Sequence, residues 1–150
     1  MPYNELLKGR FSEPGRAYFV TVALDDRKQR YFADWHCARC IVAEMRALHE
    51  NAVVNSLAWV IMPDHVHWLF ELKDKMTLSA AIKRFKARSA LRVNQRLKRC
   101  GTLWQKGFHD HAICQEEDIQ GIARYIVANP LRAGLVKHIG DYPLWDAVWL

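Results

Sequence analysis

Two histidines one residue apart, His65 and His67, lie in the run V-I-M-P-D-H-V-H-W-L-F-E-L from Val60 to Leu72. If Pro63 and Asp64 turn the chain after an incoming strand, alternation puts both imidazoles on one face and Val66, Trp68, Phe70 and Leu72 on the other. Same-face neighbours on a strand are about 7 Å apart, so the two rings can converge on one ion. A second pair with the same spacing, His109 and His111, occurs in F-H-D-H-A-I-C. Four histidines would suffice for a zinc site whose bound water is the nucleophile.

A different nucleophile is also available. In E-E-D-I-Q-G-I-A-R-Y-I-V-A-N-P, helical spacing aligns Asp118, Gly121, Tyr125 and Asn129 along one side. Tyr125 then projects between a glycine and an amide, with Arg124 and Arg132 near it in sequence. A phenol of pKa about 10 is a weak nucleophile. Beside a metal that grips phosphate it can attack a phosphodiester, because the metal polarises the phosphorus. Spacing does not single out Tyr125, since Tyr18 and Tyr142 are available too.

The elements that must position these groups can be read in order. Ala17 to Leu24 is β-branched and aromatic and predicts a first strand. A helix follows over 34–50, with Asp34 as N-cap and Asn51 as stop. Ala52 to Met62 is almost wholly apolar and predicts a strand buried on both faces, joined through Pro63-Asp64 to the histidine strand. Thr77 caps a long helix through Lys98, F-H-D-H-A-I-C is a fourth strand, and Glu116, Glu117 and Asp118 suit the start of a helix reaching Asn129. Pro130 to Gly134 adds a short turn of helix. The order β-α-β-β-α-β-α predicts an α+β fold, a ferredoxin-like split βαβ antiparallel sheet with a C-terminal helix carrying the tyrosine. The 150 residues suit one domain, and the apolar C-terminal stretch with Tyr142, Trp145 and Trp149 is expected to pack on it.

Composition narrows the partner. Net charge is +6, but 77–114 holds nine basic residues against the single acid Asp110, so that segment carries +8 and the remainder −2. A one-signed field of this kind attracts polyanions, with nucleic acid the expected partner. The candidates for contact are Lys83, Arg84, Lys86, Arg88, Arg92 and Arg96 on the basic helix, then Trp104, Lys106 and His109 beyond it, and Arg124 beside the tyrosine; aromatic stacking with basic tracking of phosphates is how unpaired strands are held. The C-x-x-C of Cys37 and Cys40 falls on one face of a helix and predicts buried thiols rather than zinc. No apolar run is long enough to cross a bilayer, so the expected location is the cytoplasm.

The motifs M-P-D-H-V-H-W-L, the basic helix, W-Q-K-G-F-H-D and R-Y-I-V-A-N-P-L-R-A-G-L-V, in this order between Phe19 and Trp149, resemble the REP-associated tyrosine transposases. These are related to the small single-tyrosine transposases of the superfamily whose metal site is His, hydrophobic residue, His. The resemblance implies cleavage of single-stranded DNA, with His65 and His67 holding a divalent metal, Mg²⁺ or Mn²⁺, and Tyr125 as nucleophile. The products would be a 5′-phosphotyrosine and a 3′-OH, and the stored linkage would let a strand be rejoined. It further implies Asn129 as a third metal ligand, a hairpin DNA partner with a short single-stranded guide, and a monomer whose tyrosine acts in its own subunit, a dimer being the alternative. Imidazole ligands suit Mn²⁺ better than Mg²⁺. The rival readings are the four-histidine zinc hydrolase and a hairpin-binding module without catalysis.

Overall fold

Ala17–Ala23 (β1), Val54–Met62 (β2), His65–Leu72 (β3) and His109–Ala112 (β4) form an antiparallel sheet, the first three rich in apolar residues. Trp145–Ala147 (β5) is added on the outer edge of β2, giving the order β4-β1-β3-β2-β5. Without β5 this is the ferredoxin-like arrangement expected from the element order. The computed structural model describes residues 12–114 and 118–149. The expected lead-in before residue 12 and the acidic pair Glu116 and Glu117 lie outside the described residues.

The helices are Trp35–Glu50 (α1), Leu78–Leu97 (α2), Ile119–Val127 (α3) and Asn129–Arg132 (α4). Side chains start the first two as anticipated. The Asp34 carboxylate accepts from His36 N–H and the Thr77 hydroxyl from Ala80 N–H, each satisfying one N–H that the helix cannot. Lys98 ends α2 in the left-handed conformation.

β3 is the central strand, and its two faces differ. Val66, Trp68, Phe70 and Leu72 pack with Tyr18, Val20 and Val22 of β1 beneath α1 and α2. Leu69 joins Ala58, Val60 and Met62 on the opposite face, covered by Ala123, Ile126 and Val127 of α3. His65 and His67 are on this second face, because alternation along β3 sets them with Leu69. The sheet therefore separates the histidines from α2.

The β2–β3 hairpin turns on Pro63 and Asp64, with Met62 opposite His65. The turn is pinned from outside: Leu24 N–H donates to Asp64 O at 2.9 Å and Phe32 N–H to Pro63 O at 3.0 Å. These two bonds hold the end of β3 that carries His65.

Three local expectations are revised. β2 begins at Val54, since Ala52 has φ +57°, and only Val60 to Met62 is buried on both faces. A bulge between Ser56 and Ala58 shifts its register. The C-terminal stretch packs as expected but does so by contributing a strand, whose three residues are too few to show an alternating pattern.

Candidate active site

Pairing across the sheet gathers the site. Thr21 on β1 is in register with His67 and Ala23 with His65. The Nε2 atoms of His65 and His67 are 3.2 Å apart. Each ring is held from its other nitrogen, His65 Nδ1 by Asp64 Oδ1 at 2.7 Å and His67 Nδ1 by Thr21 Oγ1 at 2.8 Å. An imidazole that donates from Nδ1 presents a lone pair at Nε2. Two such lone pairs facing each other can share one cation.

That geometry suits a metal ion. Two imidazole nitrogens at about 2.1 Å from one ion lie roughly 3.0–3.4 Å apart at cis-octahedral to tetrahedral angles. Partners on the far nitrogen are also what orient metal-binding histidines. His65 and His67 therefore fit a divalent ion as they stand.

The surroundings favour a neutral His67 ring and a bound anion beside it. Burial, then the His65, Arg132 and Arg27 charges, push His67 down to about 3. Burial alone would raise the Asp64 carboxyl, but hydrogen bonds from Arg27 and His65 outweigh it and hold it below its usual range. Arg27 Nε donates to Asp64 Oδ2 at 2.8 Å. A small cavity next to the pair is lined by Arg27, Arg30, Asp64, His65 and Ala133.

The His67 shift has a measurable consequence. An unfolded imidazole titrates near 6.5, so between about pH 6.5 and 3 the unfolded chain binds more protons than the folded one at this group. Stability contributed by His67 is thus complete above about pH 6.5 and is lost as pH falls toward 3. NMR titration should find its ring neutral at about pH 5, and a His67→Gln variant should lose stability less steeply on acidification.

Tyr125 lies on α3, the helix laid across the histidine face, and is the one exposed tyrosine among the described residues. Tyr18 is fully buried under the opposite face. The Tyr142 hydroxyl donates to Ile61 O at 2.6 Å, and burial pushes it up to about 12. The space beside Gly121 is taken by Asp118, whose carboxylate reaches to 2.6 Å from where a Cβ would stand, so this glycine makes room for a neighbour on its own helix.

Asn129 opens α4 after α3 has been closed by Ala128. Its Nδ2 donates to Ile126 O at 3.1 Å, which closes α3 rather than starting α4 and leaves Oδ1 as the end able to accept or ligate. His109 and His111 share the face of His65 and His67, but His109 is in register with Thr21 and His111 with Phe19. Two strand spacings, about 10 Å, separate His109 from His67. Among the described residues no three His, Cys, Asp or Glu side chains gather around a metal position, so the four-histidine cluster is not assembled. Cys37 is buried, as the helix spacing predicts, and Cys40 is partly so; neither forms a disulfide.

The expected DNA contacts divide by surroundings. Trp104 is a correction: it is buried, stacked near Phe32 and Phe85, with its indole N–H donating to Ser89 Oγ at 3.0 Å. Lys86 is half-buried, and its ammonium donates to Gln105 O at 2.6 Å and Gly107 O at 2.9 Å. Arg88 and Arg92 both pair with Glu44, a buried carboxylate of α1. Lys83, Arg84, Arg96, Lys106 and His109 are exposed, and Arg124 is exposed while paired with Asp118 at 3.2 Å. All of α2 is across the sheet from the histidines. A Trp104→Ala variant should lose about 3–5 kcal/mol of stability, read from denaturant midpoints, while the salt dependence of DNA binding stays unchanged.

Thr21, Asp64 and Arg27 were not anticipated as site residues. Two had a signal: Asp64 directly precedes His65, and Thr21 breaks an otherwise apolar run.

This sheet, with a tyrosine-bearing helix over its histidine face, is the fold of a transposase. Superposition on the solved structure of a REP-associated tyrosine transposase bound to a REP hairpin gives a TM-score of 0.71 at 25% identity, covering 91% of this chain and 79% of that one. The family model described as Transposase IS200 like matches residues 16–129, and the chain belongs to that family. The REP-associated tyrosine transposase of Escherichia coli is 27% identical over 137 residues, covering 89% of this chain and 78% of its own. A Haemophilus influenzae protein assigned to the same group is 27% identical over 143 residues, 86% of this chain and 78% of its own. Among the described residues no helix is long and apolar enough to cross a membrane.

Proposed function

We propose that residues 1–150 form a single metal-dependent transposase domain that cleaves and rejoins single-stranded hairpin DNA through Tyr125. The observation that carries this reading is the convergence of His65 and His67 Nε2 at 3.2 Å on the face covered by the Tyr125 helix. A divalent ion, Mn²⁺ or Mg²⁺, bound by the pair with Asn129 Oδ1 as a third ligand, supplies Lewis acidity to the scissile phosphate.

In the cleavage step the Tyr125 oxygen forms a bond to phosphorus as the bond to the 3′ oxygen breaks. The phenol proton goes to solvent and the departing oxygen takes one from water. The strand leaves with a 3′-OH and the 5′ side stays on the protein as a phosphotyrosine, which a second 3′-OH can attack in reverse. Arg27, held by Asp64, keeps positive charge beside the reacting phosphate. Lys83, Arg84 and Arg96 are suited to a more distant stretch of backbone, because the sheet stands between them and the histidines.

A hairpin partner is consistent with the REP hairpin in the solved relative. Incubation of the protein with end-labelled hairpin DNA and Mn²⁺ should give an adduct that survives denaturation. Binding without any adduct would leave a hairpin-binding module, and cleavage without an adduct a hydrolase.

A further inference from the structure

Arg132 stands apart from the other arginines near the site. Arg27 is paired with Asp64 and Arg124 with Asp118. The partners of Arg132 among the described residues belong to Tyr125: its guanidinium carbon is 3.9 Å from the ring centroid, and its Nη2 donates to the Tyr125 carbonyl oxygen at 2.7 Å. The next residue, Ala133, lines the cavity that holds Arg27, Asp64 and His65. Arg132 thus touches the tyrosine and stands one residue from the wall of the cavity beside His65.

A guanidinium can do two things at once that an ammonium cannot. Its face stacks on an aromatic ring while its edge offers further N–H groups to an oxyanion. With one N–H spent on a carbonyl, Arg132 has donors left over, and its charge stands against the ring of Tyr125.

We propose that Arg132 is a phosphate-binding catalytic residue, stacked on the Tyr125 ring and donating to a non-bridging oxygen of the scissile phosphodiester, so that nucleophile and target are held by one side chain. The inference rests on Tyr125 being the nucleophile. Arg132 transfers no proton; it offsets the charge that builds on the non-bridging oxygens while the phenol–phosphorus bond forms and the bond to the 3′ oxygen breaks.

The alternative is that Arg132 only closes the end of α3 through the Tyr125 carbonyl, a task that lysine can also perform. Single-turnover adduct formation with labelled hairpin DNA and Mn²⁺, measured alongside hairpin affinity and thermal midpoint for Arg132→Ala and Arg132→Lys, separates the two. Both variants should bind the hairpin within several-fold of wild type and form adduct about 100-fold or more slowly. Added guanidinium ion should accelerate Arg132→Ala but neither Arg132→Lys nor wild type. Wild-type rates in Arg132→Lys, or slowing that follows a lowered thermal midpoint without guanidinium rescue, would overturn the proposal. Absence of adduct in wild type would instead overturn the role of Tyr125.

Discussion

A Tyr125→Phe variant binds hairpin DNA within several-fold of wild type and forms no covalent adduct with it. Phenylalanine keeps the ring on which Arg132 stacks and removes only the oxygen that must bond to phosphorus. The side chain is 56% exposed, so losing the hydroxyl has little effect on packing. No other described tyrosine is placed to take over: Tyr18 is buried under α1 and α2, Tyr31 packs on that same core across the sheet with Arg99 over its ring, and the Tyr142 hydroxyl is committed to Ile61 O. The expected fall in adduct formation is therefore at least about 10⁴-fold, as for other enzymes that lose their nucleophile. Denaturing gels read the adduct and filter binding reads affinity.

His65→Ala has the second-largest effect, and it acts through the ion. Removing one of two converging imidazoles should weaken Mn²⁺ binding by more than about 100-fold, beyond the 10–100-fold typical of losing a group behind a ligand. Adduct formation should fall by about 10³-fold at sub-saturating Mn²⁺. Hairpin affinity should stay within several-fold, because contacts to the phosphate backbone supply most of it. His109→Ala and His111→Ala should leave Mn²⁺ binding unchanged, since their register places them beside Thr21 and Phe19. Calorimetric titration of Mn²⁺ into each variant decides this. Equal losses in all three histidine variants would restore the zinc-hydrolase reading.

The parts of this site that were legible in the sequence are those set by local rules. Alternation about Pro63-Asp64 put His65 and His67 on one face, and side-chain capping marked the starts of α1 and α2. The order of the first four strands then followed from the succession of strands and helices, while β5 did not. What local rules missed are partners distant in sequence. Thr21 meets His67 across 46 positions and Lys86 reaches Gly107 across 21. The charge of 77–114 also overstated what is free to meet DNA, since Glu44, 44 and 48 residues away, engages Arg88 and Arg92. Trp104 looked like a stacking platform because nothing nearby in sequence reveals Phe32 and Ser89 as its neighbours. Most consequentially, no periodicity could tell which face of the sheet α2 would cover.

Locating the DNA on the protein tests the role of Tyr125 most directly. After reaction with hairpin DNA and Mn²⁺, nuclease and protease digestion followed by mass spectrometry should recover one modified peptide, with a nucleotide joined through its 5′ phosphate to the Tyr125 oxygen, and a released strand ending in 3′-OH. A nucleotide on any other residue, or a cleaved strand with no modified peptide, would contradict it.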